Sequence, residues 1–191
     1  MTWKRYLKSL ESISKKFSEK EKLFDIILYG SAVKGKDEPR DIDIVLIFFD
    51  KEIRERLDIV QQFKSLLPKT LRFDIQTLNV NDFFDVSYFA RQGILTEGYS
   101  LVSRRKFSEK LGFKAYSLFS YNLGNLNHNK KTQFIYSLSG RGKEEGMVKK
   151  VEALVVGKGA FMVPIENTSM FEEFLEKWNL KYSKKNILVS L

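Results

Sequence analysis

The stretch FDIILYGSAVKGKDEPRDIDIVLIFF, Phe24 to Phe49, decides the fold. Phe24–Tyr29 is a short apolar run and reads as a buried strand; Ile42–Phe49 reads as a second. Gly30-Ser31 closes the first run, and Asp41-Ile42-Asp43 opens the second. A Gly-Ser at a strand end leaves backbone N–H groups and a hydroxyl available to phosphate oxygens. Asp41 and Asp43, at i and i+2, point to one face of the strand. Two carboxylates packed that closely are costly unless a divalent cation neutralises them.

Gly30 to Lys36 also fits the letters of a P-loop, G-x-x-x-x-G-K. The context rejects that reading. Asp37 stands where a magnesium-binding Ser or Thr is needed, and Pro39 and a strand follow instead of a helix.

Outward from this core, Trp3, Tyr6, Leu7, Leu10, Ile13 and Phe17 have helical spacing. Ile53, Leu57, Val60, Phe63, Leu66 and Leu67 mark a second helix ended by Pro68. Leu71–Leu78 is a third strand-like run and carries Asp74. Asn81 is expected to cap a short helix through Phe84 and Val86. Ser87–Val102 reads as helical with an interruption at Gly98. The order helix-strand-strand-helix-strand-helix describes a small α/β domain with a mixed sheet, placed at residues 1–103. Arg104-Arg105-Lys106 marks the expected boundary, and residues 104–191 read as an α+β domain. There, Lys130–Leu138 is expected to be helical and Gly140-Arg141-Gly142-Lys143 a basic loop. Phe161–Ile165 is read as a strand, Ser169–Trp178 as a helix capped by Ser169 with Glu172, and Ile187–Val189 as a terminal strand.

The 191 residues, 43% of them apolar, suffice for one sizeable core or two modest ones. No apolar run is long enough to span a bilayer, and Met1–Leu10 is too charged for a signal peptide. The absence of cysteine excludes disulfides and thiolate chemistry, and makes the cytoplasm the expected location. Residues 1–103 hold 17 Lys and Arg against 16 Asp and Glu, and residues 104–191 hold 16 against 8. The excess in the second part points to a polyanionic partner, nucleic acid above all. A Lys-rich soluble surface is the plainer alternative.

An apolar strand, Gly-Ser, a variable loop and Asp-x-Asp, in that order, resemble the nucleotidyltransferase superfamily. That group includes DNA polymerase beta, CCA-adding enzymes and minimal archaeal and bacterial nucleotidyltransferases. Gly30, Ser31, Gly35, Asp41, Asp43 and Asp74 carry the resemblance, with Ala90–Leu101 similar to the closing helix of minimal members. It covers about residues 20–103. Lys34 stands where members often have Arg, and Arg40 where they often have Ser. Three carboxylates beside a phosphate-holding turn, read with this resemblance, imply metal-dependent nucleotidyl transfer. Two magnesium ions on Asp41, Asp43 and Asp74 would stabilise the attacking and leaving oxygens. Asp74 would act on the acceptor hydroxyl. Gly30, Ser31, Lys34 and Arg40 would hold a nucleoside triphosphate.

Each reading has a plainer counterpart. Asp41 and Asp43 could be solvated strand-end charges, and Asp74 could pair with Arg72, leaving Asp82 and Asp85 as substitutes. His128 has no second nitrogen or sulfur ligand and suits a turn or cap. Tyr116, Phe119 and Tyr121 suit a strand core better than a base-stacking platform. Arg104, Arg105, Lys106, Lys130, Lys131, Arg141, Lys143, Lys149 and Lys150 are candidate RNA phosphate contacts. Among them, Arg141 between two glycines is the best placed. The leading expectation is a magnesium-dependent transferase acting on an RNA or protein acceptor. The alternatives are a silent nucleic-acid-binding scaffold, or one half of a toxin–antitoxin pair with a helical partner protein.

Overall fold

The computed structural model describes residues 3–33 and 39–191. The chain divides into two compact units, residues 1–113 and 114–191.

The first unit opens with a 3₁₀ turn, Trp3–Tyr6, and continues through α1 (Leu7–Glu21), β1 (Asp25–Tyr29), β2 (Ile42–Phe48), α2 (Ile53–Ser65) and β3 (Phe73–Asn79). A 3₁₀ turn (Val80–Phe84), α3 (Arg91–Glu97), β4 (Tyr99–Ser100), β5 (Arg105–Lys106) and α4 (Phe107–Lys110) complete it. The five strands form one mixed sheet in the order β3-β2-β1-β4-β5. β2 runs antiparallel to β1 and parallel to β3.

β1 and β2 are apolar along nearly their whole length because both faces of the sheet are covered. Ile26, Leu28, Ile44, Leu46 and Phe48 pack with Leu10 and Phe17 of α1 and Ile59, Val60 and Phe63 of α2. Ile27, Tyr29, Val45 and Ile47 pack on the other side with Ala90, Ile94 and Phe107. Each such buried side chain contributes about 1.5–3 kcal/mol. The first strand's far end is anchored by charge. Asp25 is fully buried, accepting from Ile26 N–H at 2.7 Å, Ser100 Oγ at 2.8 Å and Lys110 Nζ at 2.8 Å.

Three local expectations are corrected in this unit. The helix expected over Ser87–Val102 is α3 alone, and Tyr99–Ser100 is a strand against β1. The chain must pass close to β1 at Gly98, where a Cβ would strike the Ile94 carbonyl and Ile27 Cγ2. The cap before Val80–Phe84 is Asn79, not Asn81: Asn79 N–H donates to Asp82 Oδ2 in a capping box. Arg104-Arg105-Lys106 is a tight β4–β5 connection. Arg104 takes φ +57° and donates its N–H to Ser100 O, and Arg105 and Lys106 pair back onto the sheet. The division of the chain therefore falls after Phe113, against the Ser103–Arg104 boundary read from sequence.

The second unit contains β6 (Phe113–Tyr121), α5 (His128–Ser139), β7 (Gly140–Arg141), β8 (Glu144–Glu145) and α6 (Met147–Lys150). β9 (Leu154–Gly157), β10 (Ala160–Pro164), a 3₁₀ turn (Ile165–Asn167), α7 (Thr168–Lys177) and β11 (Tyr182–Ser190) follow. A four-stranded sheet, β11-β6-β10-β9, carries a core of Phe119, Phe134, Phe161, Phe171, Phe174 and Leu175. Phe119 belongs to that core, and Tyr121 stacks on Phe161 at 6.0 Å. The basic loop at residues 140–143 is a β7–β8 hairpin. The α7 helix starts at Thr168 behind Asn167, so Ser169 lies inside it and does not cap it. Thr168 instead bonds Ser117 of β6 at 2.8 Å. The terminal strand is longer than Ile187–Val189, because Ser183 and Asn186 also reach β6 by side-chain hydrogen bonds.

Candidate active site

Register places the first three side chains of the site. Tyr29, the last residue of β1, stands opposite Asp43, and Asp43 stands opposite Asp74. Directly opposed residues share a sheet face, so Tyr29, Asp43 and Asp74 form one row across three strands. The same face carries Val45 and Ile47 further along β2, Ile27 on β1 and Leu78 on β3, with Gln76 beside Asp74 and Asp25 at the far end. The row therefore sits where the buried face opens at the end of the sheet.

Gly30 follows at once with φ +73°, a conformation glycine adopts without strain. Its bare Cα faces Asp43: a Cβ there would overlap the carboxylate. The Ser31 backbone N–H bonds the same carboxylate. The Gly-Ser turn and the second aspartate are thus one assembly, although eleven residues of chain lie between Ser31 and Asp43.

The row is short of positive charge. Burial first, then the charges of Asp74 and Asp41, push the Asp43 carboxyl above the usual carboxylate range, against the opposing Ser31 N–H. Burial, Tyr88, Asp43 and Asp74 hold the Tyr29 phenol well above its ordinary value, so it stays neutral. Tyr88 reaches in from the loop before α3: its hydroxyl donates to Gln76 Oε1 at 3.1 Å, two residues beyond Asp74 on β3. Burial and the charges of Asp82 and Asp74 raise the Tyr88 phenol as well.

Asp41 is set apart from the pair. It precedes β2, is half-buried, and lies 4.0 Å from Nε of Arg40, a largely exposed side chain. Among the described residues no three acidic or histidine side chains converge tightly enough to hold an ion by themselves. Magnesium does not need three: it commonly takes one or two carboxylates and completes its shell with water and substrate phosphate. An all-oxygen pair of carboxylates beside the Gly30–Ser31 turn has the donor chemistry that such an ion takes. No ion pair joins Arg72 to Asp74. Asp82 and Asp85 serve local structure instead, Asp82 on Asn79 N–H and Arg56, Asp85 on Ser87. Lys34 lies outside the described residues.

The candidate phosphate contacts are scattered over both units. Arg104 Nε is 3.4 Å from Glu11 Oε2, which ties it to α1, and Arg105 is exposed on β5. Lys130 and Lys131 lie in the first turn of α5, where Asn127 caps the Lys130 N–H at 2.9 Å. Arg141 lies over the Tyr136 ring at 4.8 Å, and Lys143 follows the hairpin's Gly142. His128 is the first residue inside α5, and the cap before it is Asn127, not the His128 read from sequence. With the units as the structure divides them, residues 1–113 hold 21 Lys and Arg against 17 Asp and Glu, and residues 114–191 hold 12 against 7. The positive excess is shared between the units.

Sequence reading passed over Tyr29, Gln76 and Tyr88, because each looks like ordinary strand or loop filling until register and the α3 loop bring them to the carboxylates.

No helix among the described residues is long and apolar enough to cross a membrane. No curated protein matches the chain. A family model described as polymerase beta, nucleotidyltransferase, matches residues 11–107, which hold the whole Tyr29–Asp43–Asp74 row and its Gly-Ser turn. The chain belongs to the polymerase beta nucleotidyltransferase family and carries that family's transferase domain at its N-terminal end.

Proposed function

We propose that the protein transfers a nucleoside monophosphate from a nucleoside triphosphate to a hydroxyl of an RNA acceptor, with magnesium and with release of pyrophosphate. The observation that carries this reading is the register pair Asp43–Asp74 beside Gly30–Ser31. Asp43 and Asp74, with Asp41 turned inward, would hold the cations. Divalent cations bound there would supply charge stabilisation for the attacking and leaving oxygens.

The chain's own groups account for the remaining work. Gly30 allows the triphosphate to approach the backbone, and the Ser31 hydroxyl donates to a terminal phosphate oxygen. Arg40, exposed and loosely held, closes on the triphosphate; Lys34 is placed in the same role by its position in the chain. Asp74 takes the proton of the acceptor hydroxyl as its oxygen bonds to the α-phosphorus. Tyr29 and Tyr88, both neutral phenols, add no further negative charge beside the carboxylates.

The acceptor reading rests on charge. Both units are net basic, and Lys130, Lys131, Arg141, Lys143, Arg104 and Arg105 would contribute phosphate contacts. Incubation with labelled nucleoside triphosphates, magnesium and either total RNA or cell protein tests the whole reading. RNA should be labelled. Absence of label, or labelling that survives Asp41→Asn combined with Asp43→Asn, would sink it.

A further inference from the structure

The four-stranded sheet of the second unit has two edges, β11 and β9, and they are built differently. An edge strand offers unpaired N–H and C=O groups to any other strand, and charged side chains, lysine above all, are a common guard. β11 carries that guard in Lys184 and Lys185, with Lys184 Nζ held 2.7 Å from Glu172 Oε1. β9 carries none. Its residues are Leu154, Val155, Val156 and Gly157, and all four are exposed. Leu154 is 49% exposed, Val155 66% and Val156 55%. Successive side chains of a strand point to opposite faces, so neither face of β9 is covered. Val156 is the extra residue of a bulge: Val155 pairs with Phe161 and Gly157 with Ala160, which leaves Val156 without a counterpart in β10. Three consecutive aliphatic side chains on an unguarded edge suit a further strand.

The flanking residues say which strand. Glu152-Ala153-Leu154-Val155-Val156-Gly157-Lys158 is an acid, five uncharged residues and a base. Turned end for end, as an antiparallel neighbour would be, it sets Lys158 opposite Glu152, Gly157 opposite Ala153 and Val156 opposite Leu154. Val155 then faces its own copy on a two-fold axis. Both ends of the pairing join opposite charges, and every position between them is apolar or glycine. Glu152 and Lys158 are exposed, and among the described residues neither is in an ion pair. A second copy of the chain supplies the complementary pattern by symmetry alone.

We propose that two copies of the chain join through β9, antiparallel and centred on Val155, with Glu152 of each opposite Lys158 of the other. Two four-stranded sheets thereby become one continuous sheet, and the apolar edge leaves water. The strand is short, so the contact lies at the small end of specific interfaces and the association depends on concentration.

Sedimentation velocity of the full chain at rising concentration should show a monomer–dimer equilibrium. Val155→Lys sets two like charges across the axis and should weaken association roughly tenfold or more. Glu152→Lys alone should weaken it too. Glu152→Lys combined with Lys158→Glu should restore it, because the opposed charges have merely changed places. Far-UV circular dichroism of each variant should match the wild type, since these side chains are exposed. The chain has no cysteine, so one introduced thiol reports the register. Val155→Cys should give a disulfide-linked dimer under a mild oxidant, because directly opposed residues of an antiparallel pair have Cα atoms about 4.5–5.5 Å apart, within disulfide reach. Ala153→Cys should not, because in this register it lies roughly 13 Å from its own copy. A chain that stays monomeric, a dimer indifferent to Val155→Lys, or cross-linking at Ala153→Cys in preference to Val155→Cys would overturn the proposal.

Discussion

The backbone of Gly30 lies directly against the Asp43 carboxylate, with φ at +73° and no room for a Cβ beside Oδ2. The Ser31 N–H bonds that same carboxylate, so the turn and the aspartate hold each other's position. Four predictions concern contacts and surfaces within each unit taken by itself.

Gly30→Ala should be damaging out of proportion to its size. The positive φ alone costs an alanine about 1–2 kcal/mol. The overlap with Asp43 adds to this and displaces the carboxylate, and a shift of about 1 Å at a reacting centre can cost roughly 10²-fold in rate. A chemical denaturation curve and a nucleotidyl-transfer assay on the same sample would measure both losses. Wild-type turnover in the variant would show that the contact is dispensable.

Asp43→Asn should abolish transfer and yet raise thermal stability. Because the folded protein holds the Asp43 proton more tightly than the unfolded chain, ionising this group costs stability. The penalty begins as pH rises above the ordinary carboxylate value and is complete above the raised folded value. At neutral pH the asparagine variant should therefore melt higher, by about 2–4 °C for each kcal/mol relieved in a chain of this size. The difference should disappear in acid, where wild-type Asp43 is protonated in both states. Melting both proteins across pH without metal provides the check; a gap that widens in acid would contradict the assignment.

Asp25→Ala should destabilise without touching chemistry. The substitution leaves Ser100 Oγ and the Ile26 N–H without their buried shared acceptor, and leaves the part-buried Lys110 Nζ with only the Phe24 carbonyl. Breaking a buried pair of this kind costs about 3 kcal/mol or more. Asp25 begins β1 and Gly30 follows its end, so transfer per folded molecule should stay near wild type. Urea midpoints and specific activity at low temperature would separate the two effects.

Arg141→Ala combined with Lys143→Ala should weaken RNA binding roughly uniformly across sequences and lower the salt slope by about 1 for each lost phosphate contact. Far-UV circular dichroism should not change, because both side chains are exposed at the hairpin. Unaltered binding would remove the β7–β8 hairpin from the RNA-contacting surface.

Much of the first unit is legible in the sequence alone. The apolar runs Phe24–Tyr29 and Ile42–Phe49 became β1 and β2 nearly to the residue, because strands buried on both faces must be apolar at consecutive positions. The turn between them was readable from Gly30-Ser31. The segment Ser87–Val102 misled because Gly98 looks like a tolerated break in a helix. Only the closeness of Ile27 and Ile94 shows that the chain must turn there. The capping errors at Asn81 and Ser169 have one cause: several polar residues stood within reach of each helix start, and tertiary partners such as Thr168–Ser117 selected among them.

The sequence by itself determined the strand–turn–strand unit, its aspartates and its family, since all of these depend on residue type at short spacing. Tertiary structure alone decided that Asp74 faces Asp43 and that Tyr29 and Tyr88 join them. The β1–β2 and parallel β2–β3 pairings and the Tyr88–Gln76 hydrogen bond set that arrangement, and they bring together residues too far apart along the chain for any local pattern to record.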